Sequence, residues 1–314
     1  MEMKAKLCAM VFALVFGINL ESLATTYSKN NGVISYTANQ NNVPMISTLS
    51  VLGTLLLPYD NVGAGYQMTG RSASTYYNPT QAGDCLQNSS QTLAIDTNWA
   101  GNIIGLPAAN GLEFTVTPRN YQTAASCSGG PLLPFTFEFG VTLGDATHMP
   151  KEGMLLDMAI TRLSGAEVIQ KGNSEFPVLY LLAQVLPYAY WSADGATWQA
   201  MTGTAVGGFQ TNDTRQWPTN DVNYSRTGKG IMLCTSGSTM CVAVYSPKST
   251  FLVASHRNGA SYELTTITAT ADQSGTISDF NRHIGRRLVA VGTPSTVSAV
   301  ISQTSAVLTN WGDI

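Results

Sequence analysis

The 314-residue chain carries 16 Lys and Arg against 19 Asp and Glu, a formal net charge of −3, and only 11% of its residues are charged. Soluble domains average about 25% charged residues, so Thr, Ser, Asn, Gln and Gly must carry the surface here. That balance offers no broad basic face for a nucleic-acid backbone and excludes a highly charged disordered chain.

The N-terminus has the three-part layout of a secretory signal peptide. Lys4 and Lys6 form a basic start, Leu7 to Leu20 is apolar except for Asn19, and Ser22-Leu23-Ala24 offers a small-residue cleavage site. The apolar run is shorter than the about 20 residues a membrane-spanning helix needs. The expectation is therefore a signal peptide over 1–24, one domain over 25–314, no membrane span after cleavage, and a secreted or periplasmic location.

Beyond it the hydrophobic period is mostly two. Phe135, Phe137, Phe139, Val141 and Leu143 alternate with Thr136, Glu138, Gly140 and Thr142, and Met154, Leu156, Met158 and Ile160 repeat the pattern after a turn with Pro150 and Gly153. Val178 to Leu186 is a continuous apolar run that fits strand or helix. Gly203 to Gly230 reads as a long polar loop, Tyr262 to Ala271 as a Thr-rich strand and Arg287 to Val291 as a short one. The convincing helix comes last. Thr293 is placed to cap it, Pro294 suits its first turn, and Val297, Val300, Ile301, Thr304 and Leu308 share one face. Short strands separated by Gly, Pro, Asn and Ser clusters make the fold all-β, an antiparallel β-sandwich or barrel with a short C-terminal helix.

Four cysteines follow the signal segment: Cys85, Cys127, Cys234 and Cys241. An even number in an exported chain reads as disulfides, with three possible connectivities. Cys234 and Cys241 flank a turn near Ser236-Gly237 in a hairpin, which favours their pairing and leaves Cys85 with Cys127. No CxxC occurs and no histidine is spaced with a cysteine, so no metal site or cofactor is expected.

Three segments hold polar residues that strands and turns do not require. Arg71 to Asp84 contains Tyr76-Tyr77-Asn78-Pro79-Thr80-Gln81, aromatics beside amides as a sugar site needs, though Asn-Pro and Gly83 also suit a structural turn. Glu175 sits among apolar residues before Tyr180, where burial would raise its pKa toward a general acid's. His256 ends an apolar run and suits a proton shuttle or a hydrogen-bonded strand end. Glu138, Asp157 and Glu113 lie opposite apolar positions of their strands, and Arg282, His283, Arg286 and Arg287 read as a basic cluster on a solvated face.

Taken in order, Leu57-Pro58-Tyr59-Asp60, Gly70-Arg71, Tyr77-Asn78-Pro79-Thr80-Gln81-Ala82-Gly83, Glu175-Phe176-Pro177-Val178-Leu179-Tyr180 and Cys241-Val242-Ala243-Val244-Tyr245-Ser246-Pro247 form a pattern. It resembles a group of secreted β-proteins associated with the galactose-mutarotase-like β-supersandwich. The resemblance implies a broad antiparallel sandwich with a carbohydrate cleft on one curved face, and marks Arg71, Asn78, Gln81 and Glu175. The Trp and acidic residue that group carries ahead of the Gly-Val-Tyr strand are missing around Lys229 to Cys234, which implies binding without turnover if that pair is catalytic.

These readings point to a secreted carbohydrate-active protein acting on an oligo- or polysaccharide. As a glycoside hydrolase it would use Glu175 as acid with Asp84 or Glu138 as partner. As a polysaccharide lyase it would use His256 or Tyr180 as base, with Arg71 neutralising a uronate. Arg71, Tyr77, Asn78, Gln81 and Tyr180 are the binding candidates. The alternatives are a non-catalytic sugar-binding or adhesion protein and a structural envelope component.

Overall fold

A computed structural model describes residues 26–39, 45–57, 65–68, 90–101, 103–118, 132, 134–165, 169–170, 174–182, 184–200, 223–258, 263–270 and 276–314. In chain order the strands are β1 (Thr26–Asn30), β2 (Ile34–Asn39), β3 (Met45–Val51), β4 (Thr54–Leu57), β5 (Gly65–Met68), β6 (Ser90–Asp96) and β7 (Gly111–Pro118). There follow β8 (Phe135–Leu143), β9 (Gly153–Arg162), β10 (Ile169–Gln170), β11 (Ser174–Leu182), β12 (Tyr188–Ser192) and β13 (Gln199–Ala200). Then come β14 (Asn223–Arg226), β15 (Gly230–Cys234), β16 (Cys241–Tyr245), β17 (Phe251–Asn258), β18 (Glu263–Thr270), β19 (Thr276–Ile277) and β20 (Arg282–Gly292), before helix α1 (Pro294–Val307).

The organising element is a nine-stranded antiparallel sheet in the order β13-β12-β15-β16-β20-β9-β8-β7-β6. One face is apolar by simple alternation: Phe114 on β7, Phe137 and Phe139 on β8, Leu156 and Ile160 on β9, Val289 and Val291 on β20. Two smaller sheets supply the rest of that core. The four-stranded sheet β1-β2-β3-β4 contributes Ile34, Tyr36, Ile46 and Leu56, and the five-stranded sheet β14-β17-β18-β11-β5 contributes Leu179, Leu181, Leu252 and Ile267. The Phe residues and Ile34, Tyr36, Ile46, Leu49 and Leu56 are almost fully removed from water, and at about 2–3 kcal/mol for each large apolar side chain such burial is the main favourable term in the fold. The result is the all-β antiparallel sandwich expected from the sequence.

The second face of the large sheet is divided. Helix α1 packs over β20 and β16, burying Val297, Val300 and Ile301 against Leu288, Ala290 and Ala243. Its N-terminus is capped as expected: Thr293 Oγ1 accepts the Thr296 N–H at 3.2 Å, and Pro294 occupies the first turn. The β15–β16 hairpin is closed by a Cys234–Cys241 disulfide with Gly237 at φ 73° in the turn, where positive φ suits glycine. Cys85, Cys127, residues 1–25 and residues 201–222 of the polar loop lie outside the described residues. No described helix is long and apolar enough to cross a membrane.

Candidate functional site

Beyond the reach of α1, the second face of the sheet turns polar. Antiparallel register sets Asp96 of β6 opposite Glu113 of β7, Glu113 opposite Gly140 of β8, Gly140 opposite Asp157 of β9, and Asp157 opposite Arg286 of β20. Paired residues project from the same side of a sheet, so four ionisable side chains stand in one lateral row around a glycine. Two residues along β8, Glu138 shares that face, and Arg282 reaches it from β20. Glu113, Glu138, Asp157, Arg282 and Arg286, with Trp99, line a cavity of about 270 Å³, near the lower end of ligand pocket sizes, about 300–1,000 Å³.

Trp99 belongs to the segment joining β6 to β7. Lys29 on β1 ties both ends of that segment down, its Nζ donating to Thr97 O at 2.6 Å and to Ala109 O at 2.7 Å. The indole then lies directly on Gly140: a Cβ there would fall 1.9 Å from Trp99 Cζ3. The Trp99 carbonyl meets Gly111 in the same way, 1.3 Å from where a Cβ would stand. Glycine in a strand interior often marks such close approach.

The charges are arranged unequally. Arg286 Nε donates to Asp157 Oδ1 at 2.9 Å and its Nη1 to Asn310 O at 2.8 Å. Asp157 is buried, and its Oδ2 has no hydrogen-bond partner among the described residues. Burial pushes its carboxyl up to about 6, against the pull of Arg286 and Arg282. Arg282 Nε donates to Glu138 Oε2 at 2.9 Å, and its Nη2 contacts the same oxygen. Glu113 has no ion-pair or hydrogen-bond partner among the described residues. Burial, then the neighbouring Glu138 carboxylate, raises it to about 7, with Arg282 opposing. A carboxyl group that titrates near neutrality, open to a cavity beside a second, arginine-paired carboxylate, can both give and take a proton under ordinary conditions.

The basic cluster expected over 282–287 does not exist as one face. Alternation sends Arg282 and Arg286 to the cavity, while His283 bonds Asp279 and Asp313, and Arg287 is fully buried on the opposite side. Arg282 stays exposed while bound to Glu138, whereas Arg286, His283 and Arg287 are largely withdrawn from water.

Of the residues singled out in the sequence, Glu113, Glu138, Asp157, Arg282 and Arg286 are brought together. Trp99 was missed; Gly111 and Gly140 inside otherwise regular strands are the signal that could have found it. Glu175, Tyr180 and His256 are placed elsewhere, in the five-stranded sheet. Glu175 pairs with Gln67 of β5, next to a register shift that spans Pro177, which has no N–H to give the ladder. Tyr180 pairs with Thr266, and His256 with Thr265. That sheet packs on the apolar face of the large sheet, whereas Glu138 opens onto the other. Arg71, Tyr77, Asn78, Gln81 and Asp84 lie outside the described residues. Among the described residues no group of three or more His, Cys, Asp and Glu could hold a metal ion.

No family model matches the sequence, and no curated protein is similar to it in sequence. Solved structures are similar in fold. A galactose mutarotase related enzyme from Lactobacillus acidophilus matches with a TM-score of 0.52 at 9% identity, over 86% of this chain and 98% of that one. A galactose mutarotase-like protein from Lactobacillus casei gives a TM-score of 0.49 at 10% identity, over 85% and 100% of the two chains. A GH36 alpha-galactosidase from Geobacillus stearothermophilus gives 0.46 at 7% identity, over 86% of this chain and 41% of that one. At such identities the likeness is one of fold, a galactose mutarotase-like β-sandwich.

Proposed function

We propose that this is an exported carbohydrate-active protein, and that the cavity over Gly140 receives one sugar unit for acid–base chemistry centred on Glu113. The observation that carries the reading is the pairing of a carboxyl raised to about 7 with an arginine-bound Glu138 in the same cavity, beside an indole. Two carboxyl groups whose surroundings differ in this way divide naturally into an acid and a base. In hydrolysis, the Glu113 proton passes to the departing glycosidic oxygen as the C–O bond breaks. Water then adds at the anomeric carbon and gives its proton to Glu138. Trp99 supplies an apolar platform for the sugar ring.

The charge pattern favours a neutral sugar over a uronate. Both arginines at the cavity are already bound to carboxylates, leaving no unengaged guanidinium among its described residues to neutralise an acidic substrate as a lyase requires. Export is supported by the signal-like N-terminus and by the Cys234–Cys241 disulfide. The galactose mutarotase related relative adds support at the level of fold alone.

The test is a panel of neutral and acidic sugars and polysaccharides, scored for new reducing ends, anomeric interconversion and unsaturated-uronate absorbance. Glu113→Gln is expected to lower the rate on a neutral substrate by about 10²–10⁴-fold while retaining binding. Full activity in Glu113→Gln refutes the proposed chemistry. Binding without turnover in the parent protein would move the reading to a sugar-binding protein.

A further inference from the structure

Strand β16 last pairs with β20 at Tyr245 and Leu288, so β20 from Arg282 to Arg286 has no strand on that edge among the described residues. The C-terminal tail fills the gap. Arg286 N–H donates to Trp311 O at 3.1 Å, and the N–H groups of Asp313 and Ile314 donate to Ile284 O at 2.7 and 3.2 Å. Gly285 and Gly312 pair across the junction. Gly312 takes φ +84°, and a Cβ there would fall 1.9 Å from Ile284 O. The tail is thus seated on the stretch of β20 that lines the cavity, and Asn310 O receives the Arg286 guanidinium whose Nε grips Asp157.

Trp311 and Ile314 anchor this tail in the core, and His283 is the titratable side chain that bridges it to the sheet. His283 Nδ1 lies 2.6 Å from Asp313 Oδ2, and its Nε2 lies 2.9 Å from Asp279 Oδ1. Asp313 Oδ1 also accepts the Ile284 N–H at 3.0 Å. We propose that residues 310–314 are a positioning element of the cavity, latched by the His283 imidazole between Asp279 and Asp313, and that releasing the latch frees Arg286 from its alignment on Asp157. The link from Arg286 to substrate binding rests on the carbohydrate reading; the latch does not.

The chemistry makes the latch pH-sensitive. Both ring nitrogens face carboxylate oxygens, so both must donate, which only the imidazolium can do. Partial burial opposes that charge, but the hydrogen bonds to Asp279 and Asp313 outweigh it and hold His283 above its ordinary 6.5. Arg162 of β9 and Arg287 of β20 project from the same side of the sheet, Arg162 bound to Ser278 O and Gly165 O. A histidine with a raised pKa stabilises the docked tail fully below 6.5, and that contribution disappears as pH rises through the docked value.

Amide exchange at Asp313 and Ile314 in the full chain, corrected for its intrinsic pH dependence, reads tail opening; the Arg286 Nε–H resonance reads alignment. Between pH 6.5 and the docked value, tail opening should grow about tenfold per pH unit, with the Arg286 signal weakening in step. In His283→Gln tail opening should be insensitive to pH over that window, and the Arg286 signal should keep only the dependence that the titrations of Asp157 and Glu113 impose. Identical pH profiles in the two proteins would overturn the latch, and an open tail with an unchanged Arg286 signal would overturn the positioning role. A parent protein that shows both pH-dependent signals and binds no sugar supports the latch and refutes the carbohydrate reading.

Discussion

Glu113→Gln tests the site through stability, without any substrate. Glu113 moves from an ordinary 4.5 to about 7 on folding, so the folded chain holds a proton the unfolded chain has released between those values. Stability must therefore fall as pH rises from 4.5 through 7. The full shift corresponds to about 3 kcal/mol, and because the carboxyl opens onto a solvent-reaching cavity, screening brings the expected loss to about 1–2 kcal/mol. Glutamine cannot ionise and keeps nearly the same shape, so the variant escapes that loss. Urea denaturation should give the two proteins equal stability near pH 4 and a variant more stable by about 1–2 kcal/mol near pH 8. Parallel stability curves, or a variant weaker at high pH, would show that Glu113 is not held protonated by its surroundings, and the acid–base reading would lose its foundation. A residue that costs stability where it stands, and whose neutral replacement removes activity, follows the usual exchange of stability for function.

Three further variants probe the cavity and the disulfide-closed hairpin. Gly140→Ala places a methyl inside the Trp99 ring; the indole must leave, at about 1–3 kcal/mol by urea denaturation, and sugar affinity should fall with it, so a variant of unchanged stability and affinity would contradict the packing. Arg286→Met leaves buried Asp157 without its cation, at about 3–5 kcal/mol near pH 8. The penalty should shrink near pH 5 as Asp157, already raised to about 6, takes up a proton; a loss independent of pH would place the cost in the tail contacts instead. Replacing both Cys234 and Cys241 by Ala opens a loop of sequence separation 7. The cost should be about 2–3 kcal/mol, read as a lower urea midpoint at unchanged slope.

What was legible in the sequence follows from how each signal is generated. Helix α1 was read almost residue by residue because its cap, its proline and its apolar face are all local in sequence. Strand β8 was equally plain, since Phe135 to Leu143 expresses period two without interruption. Strand β20 was read as Arg287 to Val291 but runs from Arg282 to Gly292, because His283, Gly285 and Arg287 interrupt the apolar face that Val289 and Val291 continue, and the alternate positions carry the cavity arginines. Those charges are tolerated inside a sheet only because Glu138 and Asp157 answer them from β8 and β9, and no local window contains both partners. The site was visible in the same partial way. Glu113, Glu138 and Asp157 could be assigned to the non-apolar side of their strands, but their convergence depends on register among β7, β8, β9 and β20, which is long-range information.

The position of the cavity has a geometric cause. Nine strands at about 4.8 Å spacing span about 38 Å, whereas the 14 residues of α1 form a rod about 21 Å long and about 10 Å across. One such helix covers β16 and β20 and leaves the surface of β7, β8 and β9 to be satisfied otherwise. Had that strip been apolar, it would have remained an exposed hydrophobic patch inviting association. The chain instead places carboxylates there, answers two of them with arginines from the neighbouring strand, and lays the Trp99 segment across the glycines. Glu113 is the group this arrangement leaves unanswered. Burial raises its pKa first, and the neighbouring Glu138, Asp96 and Asp157 carboxylates raise it further against the pull of Arg282 alone. A ligand or a proton must answer it, which is why the chemistry of the cavity is expected to turn on that one residue.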